Sequence, residues 1–219
     1  MAGVVPFQVL SSLGCPATGE LAIALGAELA PLDEAALDAA LDRIAEELAP
    51  AARAEPEQQL VAAELVLARH LHVHDGPGPS IGIDDLLPHE VAVRGRGHEL
   101  AVALVALEAT RRAGLKLSLV ACPDAVFLGH PRLSAPVLLG PAPDWHLLDA
   151  RDLDEPELAW QCAHEAASLL LGALLERAKR SGLLATELRA AELCLALPVE
   201  RDEHARLQWQ LAAVRARLN

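Results

Sequence analysis

The stretch at residues 94–115, RGRGHELAVALVALEATRRAGL, has the layout of a nucleophile site at the start of a helix. A charged turn broken by glycines leads directly into an apolar run. The start of a helix favours an anion such as a thiolate, because its first backbone N–H groups are unpaired. The stretch contains neither Cys nor Ser, and His98 and Glu99 occupy the helix entrance. The pattern therefore predicts a place for a reactive group without the group itself.

Cys122 is the alternative nucleophile in this region, at the end of the predicted strand LKLSLVAC. The titratable residues around it in the sequence are His98, His130, His146 and Asp149. A Cys–His pair requires only that the fold bring the two side chains together. A strand end, however, lacks the helix dipole that lowers the pKa of a thiol. The sequence favours a small buried side chain at Cys122 over an activated thiol.

Asp149, in the segment WHLLDARD, closes another apolar strand. A carboxylate in this place can orient a catalytic histidine, or it can cap the turn that follows. No histidine is identified beside it, so the structural role is favoured.

The segment HLHVHD carries His70, His72, His74 and Asp75. On a strand, alternate histidines share one face and can hold zinc. The preceding sequence is helical, however, and on a helix only His70 and His74 align. The polar end of a helix is therefore the favoured interpretation, and neither a metal nor another cofactor is predicted.

The composition of the 219-residue chain restricts the classes of partner. The 18 Lys and Arg against 31 Asp and Glu give a formal net charge of −13, which disfavours nucleic acid and anionic membranes. The hydrophobic fraction of 53% is mostly Ala, Leu and Val, which favours helices.

The cysteines and the N-terminus indicate a cytoplasmic protein. The cysteines are widely spaced, which favours reduced thiols in a chain of this length: Cys15, Cys122, Cys162 and Cys194. The first basic residue is Arg43, and Leu13 before Gly14 and Cys15 fits a lipoprotein signal poorly. No apolar run approaches the length of a membrane span.

Hydrophobic spacing predicts most of the helices. The first two lie between about residues 20 and 47, divided by Pro31, with Asp33 as the cap of the second. A third covers about residues 57–70, and a long Gly- and Pro-rich loop, HDGPGPSIGIDDLLPHE, follows it. The next helix covers about residues 99–113 and ends at Gly114.

The second half of the chain predicts a sheet and then more helices. The strands are LKLSLVAC, AVFL, PVLLG and DWHLLDA, and their short connections with Pro and Gly predict an antiparallel sheet. From about residue 157 the pattern is helical in three pieces, which resemble one tetratricopeptide-like hairpin. A single such unit must pack on the rest of the chain or on a partner. The predicted fold class is therefore α+β and helix-rich.

In this order the segments resemble the SirB-type transglutaminase-like proteins of bacteria. The resemblance implies an N-terminal helical segment (1–75), a transglutaminase-like, papain-like core (76–156) and tetratricopeptide-like helices (157–219). Its most specific part is RGHELAVALVALEATRRAGL, which is similar to the family pattern R-G-x-P-I-S/T-L-x-L-I/V-Y/F-x-E-I/V-A-R-R-L-G-L. The residues at matching positions are Arg96, Gly97, Glu108, Arg111, Arg112, Gly114 and Leu115.

The departures from the family are at the catalytic positions. Active enzymes of this fold carry the nucleophilic Cys two residues after the Gly, where this chain has Glu99. The family's F-P-G-H-F reads C-P-D-A-V, so its His falls on Ala125, and only the Asp remains, as Asp149. His130 does not replace the base, because its odd separation from Ala125 points it to the other face of the strand. Glu99, at a helix N-terminus, is expected to have a low pKa.

The resemblance and its departures imply a pseudoenzyme that binds another protein or a peptide as a regulatory or scaffold module. One candidate surface is the former cleft, rimmed by Arg94, Arg96, His98, Glu99, Cys122 and Asp149. The other is the C-terminal hairpin, where Trp209 could be an interface anchor, although the favoured interpretation is that it packs the last helix onto the domain. Two alternatives remain open: a cysteine-type amidase or peptidase with its nucleophile relocated to Cys122, and a zinc site using His72 and His74.

Overall fold

A computed structural model describes residues 4–74, 81–133, 137–153, 158–198 and 201–217. The helices are α1 (Phe7–Ser11), α2 (Thr18–Ala27), α3 (Glu34–Leu48), α4 (Pro56–His70), α5 (Pro88–Arg94), α6 (Glu99–Arg112), α7 (Ala163–Arg180), α8 (Leu184–Cys194) and α9 (Arg201–Ala216). The strands are β1 (His72–Val73), β2 (Arg96–Gly97), β3 (Ser118–Ala121), β4 (Val126–Gly129), β5 (Val137–Gly140), β6 (His146–Asp149) and β7 (Ala159–Trp160). The described part is thus helix-rich α+β. No helix in it is long and apolar enough to cross a membrane.

The N-terminal helices follow their sequence signals. The Asp33 carboxylate accepts the backbone N–H of Ala36 at 3.0 Å, which caps α3 as predicted. The buried face of α3 consists of residues three or four apart: Leu37, Leu41, Ile44, Ala45 and Leu48. Helix α4 starts at Pro56, where the missing N–H of proline costs no helical hydrogen bond.

Helix α6 is the centre of the molecule. All of its residues from Leu100 to Thr110 are buried, and it packs against α2, α3, α5 and the sheet. Its last residue is Arg112, and Gly114 follows with a φ of +86°, the left-handed conformation that ends helices. A helix enclosed on all sides is a rigid support for the side chains at its N-terminus.

Three residues that match the family pattern form an ion-pair network between α6 and α3. Glu108 is buried, and its carboxylate accepts N–H groups from Arg111 at 2.7 and 2.8 Å and from Arg112 at 3.1 Å. Arg112 also donates to Asp38 at 2.9 Å and to Asp42 at 2.8 Å, both on α3. These matching positions hold α6 in place at the end opposite to His98.

The main sheet is antiparallel, as predicted, with the strand order β6-β5-β4-β3-β7. Alternate residues face opposite sides, so Leu119, Leu128 and Leu139 join the core formed with the helices. On the other side, a second cluster contains Val120, Phe127 and Leu138. Strands β3, β4 and β5 are therefore apolar on both faces.

The main differences from the sequence prediction are short elements. Part of the predicted loop forms α5, which begins at Pro88 and ends at Gly95 with a φ of +70°. Strands β1 and β2 form a parallel pair, with His72 opposite Arg96. Strand β7 lies within the region predicted to be helical and pairs with β3. These elements have two to seven residues, too few to carry a clear periodicity.

The C-terminal helices continue the main core. One cluster of buried apolar residues extends from Phe7 in α1 to Leu197 after α8, and so includes side chains from all three predicted segments. Helix α7 packs against α2 with Leu170, Leu171 and Leu174 buried, and α9 packs against α8. The prediction that these helices pack on the rest of the chain is confirmed for α7.

Candidate functional site

His98 forms the entrance to α6. Its backbone N–H donates to the carbonyl of Asp85 at 2.7 Å, and its Nδ1 accepts the backbone N–H of Leu100 at 3.2 Å. Burial lowers the pKa of His98 and the positive charge of Arg177 lowers it further, while Asp85 acts in the opposite direction. A neutral imidazole can accept at Nδ1, so His98 serves as the helix cap.

Glu99 connects the start of α6 to the start of β4. Its Oε1 accepts the backbone N–H of Val126 at 3.3 Å, and Val126 directly follows Ala125. The two positions that the resemblance implies for a nucleophile and its base are therefore neighbours in space. The first position carries the carboxyl group of Glu99, and the second carries the methyl group of Ala125.

The prediction of a low pKa for Glu99 was wrong, because the pKa is raised. Burial raises the pKa of this carboxyl above its ordinary value, and the hydrogen bond from Val126 offsets only part of the rise. The helix N-terminus favours the anion, but the loss of water around the charged form outweighs it. Glu99 is thus more easily protonated than an exposed glutamate.

Cys122 lies in the turn that joins β3 to β4 and is half-buried. Its backbone N–H donates to the carbonyl of Ala125 at 3.0 Å, and its sulfur lies 3.5 Å from the same oxygen. The turn brings Cys122 close to Ala125 and hence to the Glu99 end of β4. A carbonyl cannot remove the thiol proton, so this contact does not activate Cys122.

The fold does not bring Asp149 close to Glu99 and Ala125. It ends β6 opposite Val137, the first residue of β5. Strand β5 pairs with β4 so that Leu138 lies opposite Gly129, the last residue of β4. Asp149 therefore lies at the end of the sheet where β4 finishes, and Ala125 precedes the other end. This register corrects the prediction that Asp149 lies in one site with Glu99 and Ala125.

The role of Asp149 is structural. Its Oδ1 accepts the backbone N–H of Arg151 at 2.9 Å and so caps the helical turn Ala150–Asp152. The Arg151 guanidinium also donates to both carboxylate oxygens, which lowers the pKa of Asp149 to about 2. The carboxylate is already occupied by this pair, and no imidazole is among these partners.

The other histidines near Cys122 in the sequence lie elsewhere in the fold. His146 starts β6 opposite Gly140, at the Ala125 end of the sheet, but it is two strands away from β4 and binds the carbonyl of Asp144 at 2.7 Å. Two strand spacings correspond to roughly 10 Å. His130 follows β4 at the other end. Neither histidine is positioned as a base for Cys122.

The arginines predicted to rim the cleft have different surroundings. Arg94 ends α5, pairs with Asp85 at 3.3 Å and donates to the carbonyls of Asp84 and Glu90. Arg96, in β2, is exposed. Arg94 thus fastens α5 to the preceding turn, and Arg96 is available to a binding partner.

In the part of the histidine segment that the structure describes, the side chains have different surroundings. His70 pairs with Glu47 at 2.8 Å, His72 is exposed in β1, and Asp75 lies outside the described residues. No group of three or more His, Cys, Asp or Glu in the described part is arranged to hold a metal ion.

Trp209 is 75% exposed on α9, so the favoured interpretation, that it packs the last helix onto the domain, was wrong. The buried side of α9 carries Leu211 and Val214. Between α8 and α9 lies an open cavity of about 690 Å³, lined by Leu195, Gln208, Leu211, Ala212, Arg215 and Ala216. The C-terminal surface thus combines an exposed aromatic ring with a depression.

Sequence reasoning missed a second cavity, of about 220 Å³, on the face of the sheet that points away from α6. His130 and Trp160 are among its lining residues. The signal for it was present, because strands with apolar residues at every position need cover on both faces.

Comparison of the chain with protein-family models, curated proteins and solved structures finds no match.

Proposed function

We propose that this chain is a non-catalytic protein with a transglutaminase-like core that binds another protein or a peptide. The observation that carries the proposal is the contact between Glu99 and the backbone of Val126, beside Ala125. A helix start meeting a strand start is the arrangement that the family resemblance implies for a nucleophile and its base. Here the same arrangement holds a carboxyl group against a backbone amide.

The chemistry of these residues supports the absence of acyl transfer. Ala125 cannot take up a proton, and the carboxyl of Glu99 is bound to the Val126 N–H. Asp149 lies at the other end of the sheet and is paired with Arg151. A relay from acid to base to nucleophile therefore has none of its links in contact.

The surface around Trp209 is the better candidate for the partner. Large exposed aromatic side chains are frequent binding hot spots, and Trp209 is the most exposed of the large apolar residues that the structure describes. The former cleft offers less, since Glu99 and Cys122 are both partly buried and engaged with β4 and its turn. The three C-terminal helices, interpreted as a tetratricopeptide-like hairpin and its last helix, would present Trp209 to the partner.

The first experiment separates this proposal from a relocated cysteine enzyme. The native protein is treated with a small alkylating reagent across a pH range, and each thiol is followed by mass spectrometry. Cys15 is the internal control, because it is exposed. We expect Cys122 to react no faster than Cys15 at any pH. Fast alkylation of Cys122 alone at low pH would reveal an activated thiolate and refute the pseudoenzyme proposal.

The second experiment tests the binding surface. A partner is captured from the native source by crosslinking, identified, purified and titrated against Trp209→Ala and Leu65→Ala. Leu65 is the control, because it is 61% exposed on α4, away from α9. A hot-spot tryptophan contributes at least about 2 kcal/mol, so Trp209→Ala should weaken the Kd more than about tenfold. Equal Kd values for Trp209→Ala and the native protein would exclude this surface.

A further inference from the structure

The cavity of about 220 Å³ on the outer face of the sheet is separate from both surfaces considered above. Its walls are mainly aliphatic and come from several elements, including Val120 of β3, Leu138 of β5 and Leu158 before β7. Glu99, Cys122 and Trp209 are not among its lining residues. This cavity and the depression beside α9 thus share no lining residue.

His130 gives this apolar cavity a polar group without a partner. The residue is 2% exposed, and its Nδ1 accepts the backbone N–H of Arg132 at 3.2 Å. A neutral imidazole that accepts at Nδ1 carries its proton on Nε2. Within the described part of the chain, Nε2 has no hydrogen-bond partner. Buried donors are almost always bonded, so this one has capacity for an acceptor supplied from outside.

Trp160 forms part of the rim. The residue is 52% exposed, and its ring lies over Gly129, where an added Cβ would come within 2.8 Å of the ring. Glycine thus leaves room for the edge of the indole against β4. A flat aromatic ring at the mouth of an aliphatic cavity suits a compact apolar group.

The charges around His130 favour a negatively charged acceptor. Burial lowers the pKa of His130, and the positive charges of Arg132 and Lys116 lower it further, which keeps the imidazole neutral. Asp149, at the same end of the sheet, is paired with Arg151 and so repels an anion little. A carboxylate near Arg132 and Lys116 can accept a hydrogen bond from the Nε2–H group.

We propose that this cavity binds a small carboxylic acid with a compact aromatic or branched aliphatic body. The body packs against Val120, Leu138 and Trp160, and the carboxylate accepts the hydrogen bond from Nε2 of His130. The cavity is smaller than the usual sites for drug-sized molecules, which excludes long acyl chains.

The test uses phenylacetate as the probe and phenylacetamide as its neutral counterpart of the same shape. Binding to the full chain is followed by tryptophan fluorescence and by ligand-observed NMR, which does not depend on a tryptophan. We expect saturable binding of phenylacetate, a fluorescence change that disappears in Trp160→Phe, and weaker binding of the amide.

Two variants examine the cavity itself. His130→Phe keeps the ring and removes the donor, and a lost hydrogen bond to a charged group should weaken binding about ten- to a hundredfold. Ala150→Phe fills the cavity and should abolish binding. The matched control is His146→Phe, because His146 is exposed on the same sheet and is not among the lining residues. It should bind phenylacetate as the native protein does.

Three outcomes would overturn the proposal: no saturable binding at millimolar phenylacetate, equal affinity for the acid and the amide, or unchanged affinity in Ala150→Phe. Circular dichroism shows whether each variant is folded. If Ala150→Phe does not fold, the decision falls to His130→Phe, and an unchanged affinity there refutes the carboxylate assignment.

Discussion

The carboxylate of Glu99 and the backbone N–H of Val126 are joined by a hydrogen bond of 3.3 Å, which connects the first turn of α6 to the first residue of β4. The bond links the most buried helix to the middle of the sheet. The Glu99 side chain therefore has a structural role, because it fixes the distance between two elements that both contribute to the core. A nucleophile in such a position would have to remain free to attack a substrate.

The first prediction concerns the pH dependence of this contact. Because the pKa of Glu99 is raised in the folded state, the native protein binds the proton more tightly than the unfolded chain. The contribution of Glu99 to the free energy of unfolding is therefore greatest below its ordinary value of 4.5 and is lost as the pH rises through the folded-state pKa. Glu99→Gln keeps the acceptor without the charge and should be more stable than the native protein at pH 7.

Urea unfolding at pH 7 and near pH 4.5 measures this difference. The advantage of Glu99→Gln should shrink at the lower pH. Glu34→Gln is the control, because Glu34 is exposed in the first turn of α3 and its charge favourably meets the helix dipole. It should be slightly less stable than the native protein at pH 7. A destabilised Glu99→Gln at pH 7 would mean that its charge is favourable in the fold.

The second prediction concerns the contact of α2 with α6. A Cβ added to Gly19 would lie 2.6 Å from Cβ of Glu108 and 2.8 Å from its backbone nitrogen, so the two helix backbones must separate. Gly19→Ala should lower the free energy of unfolding by about 1–3 kcal/mol, the usual cost of overpacking. Gly172→Ala is the matched control, because Gly172 lies inside α7 and an added Cβ would meet no atom within 4 Å apart from the backbone of its own helix. This variant should gain up to about 1 kcal/mol of unfolding free energy. Equal effects would disprove the close approach.

The sequence predicted the long elements well, because each carries its own signal. Helix α6 has a continuous apolar run and ends before Gly114, and α3 has Asp33 at its start. The short elements depend on distant partners instead. Strand β1 exists because the His72 N–H bonds to the carbonyl of Gly95, a contact between segments that are more than twenty residues apart.

The candidate site was predicted in part, for a similar reason. The proximity of Glu99 and Ala125 was implied by the family resemblance, which assigns both residues to one site. The position of Asp149 depends on strand register, and one hairpin's length decides which end of the sheet it occupies. The raised pKa of Glu99 depends on burial, and the free Nε2 of His130 depends on the packing around it. Neither property is encoded in the local pattern.

The third prediction is the titration of Asp149. Its pair with Arg151 lowers its pKa to about 2 from the usual 3.8, so the stabilisation it provides is present above 3.8 and is lost as the pH falls through about 2. Carbon-detected NMR of the side-chain carboxyl should give a midpoint near 2 in the native protein and a higher one in Arg151→Gln. A native midpoint near 3.8 would show that the pair does not persist in solution.

The last prediction weighs buried against exposed ion pairs of the same spacing. Glu108 and Arg112 are four residues apart on α6, as Glu176 and Arg180 are on α7, but the Glu108 side chain is 3% exposed and that of Glu176 is 70% exposed. Glu108→Gln weakens the charge-assisted bonds and should cost about 1–3 kcal/mol of unfolding free energy. Glu176→Gln should cost at most about 0.5 kcal/mol. Chemical denaturation measures both free energies of unfolding. If Glu108→Gln loses no more than Glu176→Gln, the bonds of Arg112 to Asp38 and Asp42 alone hold α6 against α3.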